Sequence, residues 1–270
     1  MVSGGAESGG RRAKLAGAVG LLAHDPRELY EVVVDQAQRA VEPLRARPSG
    51  VRRPLEEIMA GLDGALAGDV AAILHEDGLA EIGAEVRERV ERLGPALPFP
   101  LAHNAAPSLA RLCYVLCRAL RPAVVLETGV AYGVSSSFIT KALAMNGHGE
   151  LHSVDRAPVR AGVEDYIGAL VPEQLRSRWT LHRGTSRRLL PDLLPELEGL
   201  SLFVHDSQHT YRNISWELRT VTPRLTRPAA VLVDDTAGNR AFEQWVEGSR
   251  PAYSAVVEKE MVGVAIVDER

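Results

Sequence analysis

The sequence predicts an α/β fold in which a doubly wound, mostly parallel sheet follows a helical N-terminal extension. The first observation is that short apolar runs alternate with helix-length segments after residue 122. The second is that these runs are continuously apolar, as buried parallel strands are. The third is a pair of late β-rich runs spaced like a closing antiparallel hairpin. The predicted strands cover residues 123–126, 150–154, 179–182, 202–205 and 229–233, and the hairpin covers residues 253–257 and 262–267.

Composition excludes several classes of protein. The chain has 270 residues, of which 46% are hydrophobic and 24% charged, as in ordinary globular proteins. A net charge of −4 offers no basic footprint, so we expect no nucleic-acid partner. No run of about 20 apolar residues and no apolar signal core is present. We therefore expect a cytoplasmic protein that does not bind membranes.

The N-terminal part differs from the rest. Residues 1–12 are rich in Gly and Ser and are predicted to form a disordered tail. Residues 13–100 are predicted to be helical, because apolar residues recur at helical spacing around residues 29–41 and 55–66. Prolines at 98 and 100 mark the boundary to the sheet-containing domain, residues 101–270. The helical region is either a lid or a subunit interface, and its two apolar faces lead us to predict a homo-oligomer.

The segment before the first strand carries both cysteines of the chain. Cys113 and Cys117 are four residues apart in an apolar stretch, so they lie one turn apart on a predicted helix. Without a second Cys or His cluster nearby, we expect two buried thiols, not a disulfide or a metal site.

A glycine-containing loop follows the first predicted strand. The run from Glu127 to Ser135 reads E-x-G-x-x-x-G-x-S, in which Gly129 and Gly133 permit a tight turn and close approach to a ligand. Ligands bind outside the carboxyl ends of parallel strands, where the strand order reverses. Asp155 ends the second strand, where its carboxylate could accept both hydroxyls of a ribose. We therefore expect a nucleoside ligand here.

The loop disfavours two common nucleotide classes. A dinucleotide fingerprint needs glycine where this chain has Ala131, and the Walker pattern is absent. An acidic loop suits a ligand with a cationic part, such as S-adenosylmethionine. Tyr132, inside the loop, either packs against the methionine part of that ligand or covers the turn.

Residues 123–235 resemble the class I S-adenosylmethionine-dependent methyltransferases. The loop is similar to their first motif, and Asp155 lies where that family places its ribose-binding acid. Residues 202–211 and 231–235 resemble the I-D-G-D-H-S-Y and V-x-D-D pair of small-molecule O-methyltransferases, including those of sugar and macrolide tailoring. The resemblance implies a Rossmann-like fold closed by an antiparallel strand, S-adenosylmethionine as cofactor and a hydroxyl of a small molecule or natural product as acceptor.

The sequence departs from that family at two positions. The run Gly184-Thr185-Ser186 stands where many relatives have G-D-S, so a hydroxyl, a backbone group or packing must replace the usual acid at the adenine. Gln208 stands where the second acid of D-G-D is expected. This substitution weakens the metal site that the resemblance implies.

A physical argument for a metal is independent of the resemblance. Neighbouring strands lie roughly 4.8 Å apart, so Asp206, after the fourth strand, should converge with Asp234 and Asp235, after the fifth. Carboxylates this close favour a shared proton or a cation, and oxygen ligands suit Mg²⁺ or another hard divalent cation. Alternatively, one aspartate caps the following helix and the others are solvated.

His209 is the candidate general base. It follows Asp206 by three residues, and in the related tailoring enzymes a histidine at this position looks like the base. We expect His209 and Asp206 to be catalytic, with Asp206 also bordering the cofactor. Alternatively, His209 only hydrogen-bonds the loop. Two other functions stay open: a non-catalytic cofactor-binding protein, and an NAD-dependent oxidoreductase, which Ala131 disfavours.

Overall fold

The computed structural model describes residues 26–42, 48, 50–66, 69–94, 97–156 and 163–268. The tail predicted over residues 1–12 lies outside these ranges. None of the helices found in the described ranges has the length and apolar character needed to cross a membrane.

Helices and strands alternate through most of the described chain. The helices are α1 (Pro26–Val41), α2 (Leu55–Ala65), α3 (Val70–Ile73), α4 (Asp77–Leu93), α5 (Pro107–Leu120), α6 (Val134–Asn146), α7 (Ser186–Leu193), α8 (Tyr211–Val221) and α9 (Ala241–Ser249). The strands are β1 (Arg52–Arg53), β2 (Val124–Thr128), β3 (Glu150–Asp155), β4 (Trp179–Arg183), β5 (Leu200–His205), β6 (Ala229–Val233), β7 (Tyr253–Val257) and β8 (Gly263–Val267).

The eight strands found in the described ranges join one sheet in the order β1-β7-β8-β6-β5-β2-β3-β4. Strands β2 to β6 pair in parallel, whereas β8 is antiparallel to both β6 and β7. The predicted Rossmann-like fold, with its closing antiparallel hairpin, is confirmed. The strand order reverses between β2 and β5, and this is where a ligand cavity is expected.

The sequence predicted a helical N-terminal region, but the structure also contains one short strand there. Arg52 and Arg53 form a short strand parallel to β7, and the Glu258 amide donates to the Arg53 carbonyl at 2.9 Å. Pro54 disfavours a helical conformation at the preceding residue, and the edge of the sheet supplies unpaired backbone groups. A two-residue strand is too short to be recognised by periodicity.

Two helical layers cover the sheet. Helices α2 to α6 share one continuous core with one face of the sheet, and α7, α8 and α9 pack on the other face. Ile58 and Leu62 are buried in that core, so the apolar face of residues 55–66 does not support an interface. Cys113 and Cys117 are buried free thiols on α5, which confirms that prediction.

Helix α1 exposes apolar side chains to solvent and turns polar side chains toward the cavities. Tyr30 and Val33 are 64% and 58% exposed, whereas Glu31 and Arg39 face the cavities described below. The predicted homo-oligomer stays a prediction, and its remaining support is this exposed apolar face.

Candidate active site

A cavity of about 320 Å³ opens at the carboxyl ends of the central strands. It lies at the reversal of strand order, as expected. The predicted cofactor residues that line it are Gly129, Asp155, Thr185, Ser186 and Asp206. Glu127, Tyr132, Gly133 and Ser135 are not among the lining residues.

The loop after β2 is pressed against the end of β5. Gly129 has a φ of 87°, and a Cβ built on it would lie 2.0 Å from the carbonyl oxygen of Asp206. The Asp206 amide donates to the Thr128 carbonyl at 2.8 Å. Only glycine fits here, and the loop and Asp206 therefore have a fixed mutual position.

Asp155 both borders the cavity and closes the loop. Its Oδ2 accepts hydrogen bonds from the amides of Val130 and Ala131 at 2.6 and 2.9 Å. Burial raises the pKa of Asp155, although these amides oppose the shift. The ribose contact stays a prediction, because one carboxylate oxygen already serves the loop.

Glu127 lies behind the loop. It is fully buried, and its Oε2 accepts from Ser136 Oγ and Ser153 Oγ at 2.6 and 2.7 Å. Burial raises its pKa to about 7, against the opposing effect of these hydroxyl groups. Since it lies among hydroxyls and not on the cavity wall, Glu127 shapes the loop from behind instead of facing a cationic ligand.

We expect Glu127→Gln to stabilise the protein at pH 8 but not at pH 4.5. A carboxyl whose folded pKa is raised contributes most stability below its unfolded pKa of about 4.5. That contribution is lost as pH rises through about 7, whereas glutamine stays neutral. The gain at pH 8 should be roughly 1–3 kcal/mol, measured by urea unfolding at both pH values. An equal difference at the two pH values would contradict it.

Tyr132 covers the turn from below. It is fully buried, its ring stacks on Phe99 with centroids 4.0 Å apart, and its hydroxyl donates to the Phe99 carbonyl at 2.7 Å. Phe99 itself lines the cavity. Gly133 approaches Gly168, where a Cβ would meet the neighbouring Cα at 2.9 Å, and the Ser135 side chain hydrogen-bonds Glu127. These residues form the base of the loop.

Thr185 offers a free hydroxyl to the cavity. It precedes α7, but its side chain makes no capping hydrogen bond. Its Oγ1 is buried, and no described residue satisfies it. Buried hydroxyls normally have a partner, so this oxygen is a candidate contact for a bound ligand.

A second cavity of about 630 Å³ adjoins the first, with Asp206, Ser207, Arg39 and His103 lining both. Its other lining residues are Glu42, Ala102, Asn104, His209, Thr210, Asp234, Asp235, Ala237 and Gly238. Among these lining residues there is no large aliphatic side chain and no aromatic ring apart from the imidazoles. The second cavity is therefore strongly polar.

Asp206, His209 and Asp234 form a carboxylate–histidine cluster on the wall of the larger cavity, and Asp206 also lines the smaller one. One ligand atom from each lies within 4.8 Å of the others. His209 Nε2 is 3.4 Å from Asp206 Oδ1 and 4.0 Å from Asp234 Oδ2. Strands β5 and β6 are neighbours, so the expected convergence of Asp206 and Asp234 is present.

Asp235 lies outside the cluster. It has a left-handed backbone with a φ of 46°, its side chain is 56% exposed, and its Oδ2 lies 3.6 Å from Nδ1 of His209. The sequence grouped Asp235 with the other two aspartates. The structure instead places His209 between them, since the turn carries Asp235 to the other side of the imidazole.

The charges of the cluster shift its pKa values. Burial raises the pKa of Asp234 to about 7, and the Asp206 carboxylate adds to this shift. Burial alone would lower the pKa of His209, but Asp206 and Asp235 outweigh it and raise the value to about 10. In this state the imidazole is protonated at neutral pH.

Two buried atoms of the cluster lack a hydrogen-bond partner within the described chain: His209 Nε2 and Asp234 Oδ1. Orphaned buried polar atoms usually indicate a missing partner. A nitrogen and two carboxylates suit a divalent cation, whose charge would also relieve the repulsion between the acids. The cluster therefore fits a metal ion.

Helix α1 crosses both cavities and is held by ion pairs. Glu31 Oε2 lies 2.9 Å from Arg212 and 3.3 Å from Arg187. Glu42 Oε1 accepts from the Tyr211 amide at 2.8 Å. The role of α1 as a lid or as a subunit interface stays a prediction.

Four residues at or behind the cavities were not predicted from the sequence: Glu31, Arg39, His205 and Glu217. Glu31 and Arg39 lie far from the motifs in sequence. Glu217 carried a signal that was not used: it is a carboxylate within the apolar stripe of α8, beside Ile214 and Leu218. A charged residue at such a position requires a buried partner.

Part of the chain matches a known protein family. Residues 126–236 match a family model described as a methyltransferase domain. A search among curated proteins finds no match to this sequence. The matched residues include the glycine loop, Asp155, Thr185 and the carboxylate–histidine cluster.

Solved structures show the same fold at low sequence identity. A Geobacter sulfurreducens methyltransferase is 20% identical, with 79% of this chain and 96% of that chain covered. A Bacillus cereus O-methyltransferase in complex with S-adenosylhomocysteine (SAH) is 14% identical, covering 78% and 97%. A Podospora anserina methyltransferase, SAH-bound, is 15% identical, covering 82% and 100%. Each superposes with a TM-score of 0.50. The family match over residues 126–236, together with the sheet order and the cavity at its reversal point, identifies a methyltransferase domain within the chain.

Proposed function

We propose that the protein methylates a hydroxyl group of a small, polar acceptor and that His209 removes the hydroxyl proton. The observation that carries this proposal is the pair of cavities that share Asp206 as a wall. A cofactor in the smaller cavity and an acceptor in the larger one would meet at the carboxylate–histidine cluster. Methyl transfer needs this kind of in-line placement of donor and nucleophile.

The smaller cavity is the proposed cofactor site, in which S-adenosylmethionine supplies the methyl group. Asp155 faces the ribose, the Thr185 hydroxyl takes the place of the usual adenine-binding acid, and the Gly129 backbone allows close approach. Glu127, Tyr132, Gly133 and Ser135 act through the shape of the loop. The SAH complex of the Bacillus cereus O-methyltransferase supports both this cofactor and transfer to oxygen.

The larger cavity is the proposed acceptor site. Its polar lining can hydrogen-bond several hydroxyls but offers little apolar area to a flat hydrophobic molecule. A polar lining of this kind favours a glycoside as acceptor over a polyketide-type aglycone.

Asp206 and Asp234 are the proposed holders of Mg²⁺ or a similar cation, which leaves the imidazole of His209 free to accept a proton. Such a cation lowers the pKa of a coordinated hydroxyl. Asp206 and Asp235, with a smaller contribution from the charge of Asp234, raise the pKa of His209 to about 10. Neutralising them would lower this pKa toward the range in which imidazole accepts a proton.

A non-catalytic cofactor-binding protein is the second candidate. Thr185 and Gln208, which replace the two acids of the related motifs, favour it. It differs from the first in one outcome only, since it would bind cofactor without transferring a methyl group to any acceptor.

The test is calorimetric titration with SAH, before and after EDTA treatment and after Mg²⁺ is added back. We expect SAH to bind in both states, with Mg²⁺ adding its own heat, and NADH not to bind. Transfer from labelled S-adenosylmethionine to a panel of glycosides then separates the two candidates. Absence of SAH binding in every state would refute the proposal.

A further inference from the structure

Glu217, on α8, lies at the centre of a buried hydrogen-bond network. Its side chain is fully buried, and its Oε2 accepts from Thr128 Oγ1 at 2.6 Å and lies 2.7 Å from His205 Nδ1. Its Oε1 accepts from Ser207 Oγ at 3.0 Å and Asn213 Nδ2 at 2.9 Å. The Ser186 side chain also hydrogen-bonds this carboxylate, which thus binds five side chains.

Two of these partners lie at the ends of strands that border the site. Thr128 is the last residue of β2, directly before Gly129, and His205 is the last residue of β5, directly before Asp206. Ser207 lines both cavities, whereas Glu217 lines neither. The carboxylate therefore joins the cofactor loop to the wall between the cavities from behind.

Burying the charged carboxylate of Glu217 costs more free energy than a purely structural contact requires. Burial alone would raise the pKa of Glu217, but His205 and the hydroxyl donors outweigh it and lower the value to about 2. The carboxylate is consequently buried in its charged form. Apolar groups of similar size often replace buried ion pairs without loss of stability, and Ile214, Leu218 and Val221 already give this helix an apolar face.

We infer that Glu217 is a positioning residue, which fixes Asp206 and Ser207 against the Gly129 loop by holding Thr128 and His205 together. Its effect on cofactor binding rests on the proposed function. Its effect on the order of residues 205–209 does not.

The first variant is Glu217→Gln, which keeps the shape but presents an NH₂ group to a site filled with donors. We expect SAH affinity to fall at least about tenfold, as for a lost buried charged hydrogen bond. Amide hydrogen exchange of residues 205–209 should accelerate, while exchange in α5 stays unchanged.

The second variant pair addresses Thr128. Thr128→Val removes one donor to Oε2, and Thr128→Ser keeps it. We expect the valine variant to weaken SAH binding and to loosen residues 205–209, and the serine variant to resemble the wild type. In the Glu217→Gln background, Thr128→Val should add little, because the two side chains act together. This pair also serves if Glu217→Gln does not fold.

The matched control is Glu76→Gln. Glu76 is another carboxylate that holds an arginine and a tyrosine hydroxyl, through contacts of 2.7 Å to Arg118 and 2.8 Å to Tyr114, away from both cavities. The Glu76→Gln variant should have a lower melting temperature than the wild type, but its affinity for SAH should stay within about twofold of the wild-type value.

Unchanged SAH affinity and unchanged exchange in Glu217→Gln would overturn the inference. So would an equal loss of SAH affinity in the Glu76 control, because general destabilisation would then explain both. If the wild type itself fails to bind SAH, the proposed function fails, and the exchange of residues 205–209 still decides the role of Glu217.

Discussion

Replacing His209 with alanine is expected to lower kcat by roughly 10²–10⁴-fold, the usual contribution of a general base. His209 lies in the larger cavity beside Asp206 and Asp234, where under the proposed function it would reach the acceptor hydroxyl. It does not line the smaller cavity, which is the proposed cofactor site. The affinity for SAH should therefore stay within about threefold, and the loss should appear in turnover.

The measurement is initial rate against acceptor concentration for the His209→Ala variant, with SAH titration on the same preparation. His148→Ala is the matched control, because His148 is an exposed histidine outside both cavities. The control should match the wild type. Turnover of His209→Ala at the wild-type rate would exclude the base role and leave His209 as a loop or metal contact.

The sequence predicted the sheet well because buried strands leave a local signature. Each predicted apolar run forms a strand. Asp206 and Asp234 converge because β5 and β6 are adjacent in the sheet, as expected. Parallel strands bring their carboxyl ends to one edge, so the residues at strand ends could be placed without knowledge of side-chain contacts.

Side-chain direction was harder to predict. Glu127 belongs to β2, and since neighbouring side chains of a strand point to opposite faces, its carboxylate lies among Ser136 and Ser153 instead of in the cavity. Asp235 leaves the cluster because its backbone is left-handed. A single turn residue decides such directions, and a motif does not encode them.

Contacts between segments that are distant in sequence could not be predicted. Glu31 contacts Arg187 and Arg212, and the separation from Arg212 is 181 residues in sequence. Glu217 binds Thr128, which lies 89 residues earlier in the chain. Periodicity reports only which face of a helix is apolar. It therefore indicated an interface at α1, whereas the polar face of α1 proved to be the one turned toward the cavities.

Asp234→Asn is expected to weaken binding of Mg²⁺ or Mn²⁺ by at least about 100-fold, because it removes one of two carboxylates from the carboxylate–histidine cluster and affinity depends on ligand charge. The side chain keeps its size, so the fold should be retained. Titration calorimetry with Mn²⁺ measures the affinity. Asp235→Asn is the matched control, since Asp235 lies outside the cluster and its loss should leave the affinity within about threefold.

The same variant has a predictable pH dependence. Carboxylates beside His209 favour its protonated form and raise its pKa to about 10, so in the cation-free wild type turnover should rise with pH up to that range. Removing the Asp234 charge lowers this pKa, and the rising limb should move to lower pH. Added Mg²⁺ should move the limb in the same direction in the wild type but have little effect in Asp234→Asn. If Mg²⁺ shifts both profiles equally, the cation acts elsewhere, and the cluster is only an ion-paired turn.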